Sequence, residues 1–174
     1  MDIHVIEYNT CFDVTYNVFS FGNVTKGGFK MSVYDVAKYV LHKQGALTTL
    51  KLQKLVYYCQ AWSLAWDGVP LFDEEFEAWA NGPVCPQLFG RHRGLFVVDE
   101  SLFNDRSDRV FSQNQLDTMN SVLEAYGDKE SHWLSELTHK EAPWKDARKG
   151  IAQGEPSNEV ITKEAMQEYY SGLI

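Results

Sequence analysis

His132, His139 and Glu141 have side chains that can do acid–base or metal chemistry. A metalloprotease helix needs two histidines one turn apart with a glutamate between them, and no H-E-x-x-H occurs here. His139 and Glu141 are two residues apart, which does not place them on one helical face. They are expected to cap or brace the turn before Pro143-Trp144. Cys85 stands between Val84 and Pro86 at an expected helix start, where a helix dipole can lower a thiol pKa. A nucleophile also needs a base, and the sequence places none beside it, so a small buried thiol is the favoured role. Ser63 and Ser135 lie inside helical patterns without a G-x-S-x-G context. Gly82-Pro83-Val84-Cys85-Pro86 is too short and proline-rich to cradle phosphate. It suits a sharp turn, with Gly82 supplying an unusual backbone angle and Pro83 fixing the next. No catalytic residue, metal site or cofactor is assigned.

Binding chemistry is better represented. Trp62 and Trp133 fall at helical spacing and are expected in the core. Trp79 and Trp144 adjoin proline-marked turns, where partial exposure would make them interface anchors. Arg91, His92 and Arg93 form a small basic cluster, read first as solvated charges at a helix end. Trp79, Trp144, Arg91 and Arg93 are the candidate partner-binding residues.

These residues must be held by a set of short helices. Ser32 with Asp35 predicts an N-cap, and Val33, Val36, Ala37, Val40 and Leu41 recur at helical spacing up to Gly45. Thr48 or Thr49 caps a second helix, whose thick apolar face runs from Leu52 to Leu64 and marks it as the central core helix. Phe76 to Ala80 alternates as a short strand. A helix starts near Pro86. Short strands are expected at Phe96-Val97-Val98 and Arg109-Val110-Phe111. Ser112 with Gln115 makes a capping box for a helix through Leu116, Met119, Val122, Leu123 and Tyr126. Ser131, Pro143 and Thr162 open three more. The expected class is α+β, a mostly helical single domain with a small β-sheet.

Composition narrows the function. The chain has 174 residues, 44% of them hydrophobic, enough for one packed core. A net charge of −8 argues against a polyanion-binding surface and would help attract a basic protein partner. Three cysteines without C-x-x-C spacing argue against a disulfide framework or thiolate zinc site. No transmembrane-length run or secretory leader is visible, so a cytoplasmic location is expected.

Residues 1–30 differ from the rest and sustain no helical period. A β-hairpin or extended arm is one reading. Another comes from codons: Lys26-Gly27-Gly28-Phe29-Lys30-Met31 can be encoded with a ribosome-binding sequence before an ATG. On that reading translation begins at Met31, the arm is translated leader, and the host is a bacterium or phage. Mass spectrometry of the native protein decides between them.

Three segments carry a family resemblance. The first is Leu50-Lys51-Leu52-Gln53-Lys54-Leu55-Val56-Tyr57-Tyr58. The second joins Pro70-Leu71-Phe72 to Glu77-Ala78-Trp79 and Gly82-Pro83-Val84-Cys85-Pro86. The third is Leu137-Thr138-His139 with Pro143-Trp144. In this order, residues 31–174 resemble the Panacea, or SocA-like antitoxin, domain, which includes phage-associated GepA-type proteins. The motif positions here are Leu52, Gln53, Lys54, Leu55, Tyr58, Gly82, Pro83, Val84, Pro86, Pro143 and Trp144. The resemblance implies a type II antitoxin that binds and blocks a toxin, without a cofactor. The toxin is expected from an adjacent gene. Residues 1–30 match nothing in the pattern and lack a paired-helix DNA-binding signature, so nucleic-acid binding is not expected. The alternatives are a small hydrolase-like enzyme using His139, Glu141 or Cys85, and an adaptor that hands its partner to a protease.

Overall fold

A computed structural model of the chain describes residues 31–174. The expectations for residues 1–30, including the start at Met31, and Cys11 lie outside the described residues. The architecture is α+β and mostly helical, with two small sheets.

The first helix, α1 (Val33–Gln44), begins with Ser32 donating its backbone N–H to the Asp35 carboxylate at 2.9 Å. It stops at Gly45, whose φ of 74° suits glycine. A two-residue strand β1 (Leu47–Thr48) leads into α2 (Thr49–Trp66), capped by Thr48, whose hydroxyl accepts from Lys51 N–H at 3.2 Å. Every residue of α2 from Leu52 to Leu64 is buried. A helix enclosed on all sides is the core of its domain, and α1, α4, α5 and α7 all pack on it.

Strand β2 (Phe76–Trp79) turns Phe76 and Ala78 inward. It pairs antiparallel with β3 (Gly82–Val84), Trp79 opposite Gly82, and on its other side with β5 (Val160–Ile161). The expected break at Gly82-Pro83 is thus a hairpin whose returning strand holds the proline. Pro86 opens α3 (Pro86–His92). Strand β4 (Val97–Val98) pairs with β1, and a 3-10 turn (Glu100–Phe103) follows. The capping box at Ser112 starts α4 (Gln113–Tyr126). Then come α5 (Ser131–Thr138), α6 (Ala142–Ala147) and α7 (Lys163–Ser171).

Three local expectations are corrected. Arg109-Val110-Phe111 is irregular, not a strand, because Val110 is exposed and no partner strand lies within the described sheets. The α5 N-cap is Glu130, so Ser131 is already helical and its hydroxyl meets that of Thr48 at 2.6 Å. Trp133 is not core. It is 43% exposed, since α5 buries Leu134, Ser135 and Thr138 and leaves Trp133 at the edge of that face.

Candidate functional site

The polar residues on α2 show what its motif does. Gln53 is 2% exposed and works as a double bracket. Its carbonyl accepts from Cys85 N–H at 2.9 Å, and its amide donates to the Cys85 carbonyl at 3.3 Å. The same amide nitrogen lies 3.0 Å from His92 Nε2. One side chain therefore ties both ends of α3 to the core helix. Gln60 does the same for the loop after α2, accepting from Leu71 N–H at 2.8 Å and donating to the Phe72 carbonyl at 2.8 Å.

Lys54 is fully buried and donates to the Pro83 carbonyl at 2.9 Å. Loss of water around its ammonium pulls the pKa down to about 7. Gly82 lies against it. A Cβ built at Gly82 would sit 2.7 Å from both Lys54 Cε and Thr138 Oγ1. The hairpin glycine is there because the lysine and threonine fill its side-chain space.

The third motif reaches the same hub. The Glu141 carboxylate accepts from Tyr58 at 3.2 Å and Tyr170 at 2.7 Å. Burial pushes its pKa up to about 8, with the two hydroxyls opposing that rise. Tyr58 stacks on Tyr126 at 4.3 Å. Trp144 donates its indole N–H to the Trp79 carbonyl at 2.9 Å and stacks on His139 at 4.2 Å. Buried Arg148 donates to the carbonyls of Ala78 at 2.8 Å and Glu155 at 2.7 Å. Gln53, Lys54 and Trp144 thus each hold backbone of another motif.

The residues considered for catalysis are placed differently. Cys85 is buried, and desolvation pushes its thiol up to about 11, opposite to the activation a helix dipole would give. Burial, then repulsion from Lys54 and Arg148, lowers the His139 pKa and favours its neutral form. His132 is exposed and pairs with Glu136 across one turn at 3.1 Å. A crevice of about 440 Å³ lies between α1 and residues 107–111, and none of His139, Glu141 and Cys85 lines it. Among the described residues no His/Cys/Asp/Glu group could hold a metal.

Of the candidate binding residues, Trp79 and Trp144 are half-buried and adjacent at the end of β2. Trp79 donates to Glu77 at 2.7 Å and packs edge-on against Phe89 of α3 at 4.9 Å. Arg91 is exposed but tied to the Leu102 carbonyl and Asp105. Arg93 is exposed at the end of α3. His92 departs from the solvated cluster expected of it: it is 3% exposed and bonded to Gln53. Sequence reasoning missed the exposure of Leu95, Phe96 and Val97, the last two read as part of a strand. The available signal was an apolar run directly after Arg-His-Arg-Gly.

These features define a small α+β scaffold domain whose polar motif brackets one core helix to a hairpin and two flanking helices. The family model for the antitoxin SocA-like, Panacea domain matches residues 52–145, more than half of the chain. The chain belongs to this family. That membership supports an antitoxin-type role and a protein partner. Neither the curated proteins nor the solved structures include a match. No helix among the described residues is long and apolar enough to cross a membrane.

Proposed function

We propose that this chain is the antitoxin of a type II toxin–antitoxin pair, with residues 31–174 as its working domain. It acts in the cytoplasm and neutralises, by direct stoichiometric binding, a toxin encoded by an adjoining gene. The family match over residues 52–145 carries this reading. Support also comes from the use of the motif groups. Gln53, Lys54, Tyr58 and Glu141 are spent on internal hydrogen bonds, as in a scaffold that presents a surface rather than a reaction centre.

Co-expression with the adjoining gene tests it. The neighbour alone should arrest growth, the pair should grow, and the two proteins should co-purify in a fixed ratio. Cys85→Ser and His139→Ala should still protect cells. Loss of protection by either one, with folding and toxin binding intact, would favour an enzymatic mechanism instead. Toxin that disappears in a protease-dependent way only when this protein is present would favour the adaptor.

A further inference from the structure

Leu95, Phe96 and Val97 are 50%, 79% and 52% exposed. They are not a loose loop. Leu95 N–H donates to the His92 carbonyl at 2.9 Å, and Thr49 N–H donates to the Phe96 carbonyl at 3.0 Å. The backbone is pinned to α3 and to the start of α2 while three apolar side chains stand in water. Contiguous exposed apolar groups of this kind mark interaction surfaces.

Arg93, at the end of α3, lies two residues before Leu95. Phe89 packs against His92 at 5.5 Å and against Trp79 at 4.9 Å. The segment that carries these residues is short of acids. Residues 78–98 contain no Asp or Glu, although the whole chain has 24. Asp105 neutralises Arg91. Arg93 is exposed and makes no ion pair with the described residues. Aromatic groups with arginine, and few carboxylates, are the composition of interface centres.

We propose that Leu95, Phe96 and Val97, with Arg93 beside them, dock an apolar patch of a partner protein that places a carboxylate opposite Arg93. This deepens the antitoxin reading and rests on it. The net charge of −8 favours a basic partner at long range, but the charge left unpaired at this site, Arg93, is positive. Nucleic acid fits less well, since phosphate binding needs several clustered cations and one is free here. A second copy fits less well too, because in a two-fold contact of this segment with itself residues 78–98 offer no carboxylate to the opposing Arg93.

The test uses the full chain and the purified product of the adjoining gene. Phe96→Asp should weaken binding by about a hundredfold, the scale of a hot spot. Arg93→Glu should weaken it by about tenfold or more, with Arg93→Lys recovering part of the loss. Val110→Asp, at an exposed site on residues 107–111 beside α1, should bind like the parent. Circular dichroism confirms that each variant is folded. If the parent binds and both Phe96→Asp and Arg93→Glu bind as tightly, the face is wrong while the antitoxin reading stands. If the parent neither binds nor protects, that reading fails and takes the face with it. Conversion of a dimer to a monomer by Phe96→Asp in sedimentation would assign the face to a second copy and overturn the proposal. Binding of a single-stranded oligonucleotide that Arg93→Glu abolishes would overturn it equally.

Discussion

Gly82 shows how little space separates the motifs. Its φ is 99°, a conformation that side chains rarely adopt. Lys54 and Thr138 occupy the volume a Cβ would need. Both effects act in the same direction, and neither neighbour has open space to move into, since both are fully buried. Gly82→Val should therefore lower stability by at least about 1–3 kcal/mol, the scale of a strained backbone position. Trp79 faces Gly82 across the hairpin, so its fluorescence should report a looser environment. An unchanged thermal midpoint with intact partner binding would show that the turn is neither strained nor organising.

At the scale of elements, α3 depends on a bond it does not itself contain. It has seven residues and no side-chain cap hydrogen bond, and helices this short are not stable in isolation. Gln53 on α2 supplies the missing partners at Cys85 and brackets His92. Gln53→Leu keeps the volume but leaves buried backbone groups unpaired, at a cost of about 1–3 kcal/mol. Hydrogen exchange should accelerate at residues 86–92 while α4, which Gln53 does not touch, keeps its protection. Uniform acceleration across the domain would mean that α3 is not a separate unit. Because α3 leads directly into Arg93 and the exposed residues 95–97, partner binding should weaken in the same variant.

The whole molecule folds around two buried titratable groups with opposite shifts. Glu141 has a raised pKa, about 8 against 4.5. Its contribution to stability is fully present below pH 4.5 and is lost as pH rises through about 8. Lys54 has a lowered pKa, about 7 against 10.5. Its contribution is fully present above pH 10.5 and is lost as pH falls through about 7. The two limbs give a stability minimum between about pH 7 and 8. One pKa unit corresponds to about 1.4 kcal/mol, so each limb is large enough to move the denaturant midpoint. Urea unfolding from pH 5 to 10 should trace the valley. Glu141→Gln should flatten its acid side and Lys54→Met its alkaline side. A stability maximum near neutrality in the parent would contradict this account.

The sequence by itself determined the local structure, because local structure depends on neighbours in the chain. Ser32 with Asp35, Thr48, Ser112 with Gln115 and Thr162 marked helix starts, and the helices begin there. The apolar period marked α2 as central, and the ordered motifs carried the family. The tertiary structure alone decided what the polar motif residues do. Nothing in the spacing of Gln53, Lys54 and Tyr58 says that they reach Cys85, Pro83 and Glu141, between 29 and 83 residues away. Periodicity put Trp133 in the core, and packing left it at the edge of α5, since helical spacing fixes a face but not the width of the neighbour that covers it. Likewise Phe96 read as strand. Its exposure depends on β1 and β4 forming a two-residue ladder with no further layer of described residues over those side chains, and local sequence does not encode which layers a chain will stack.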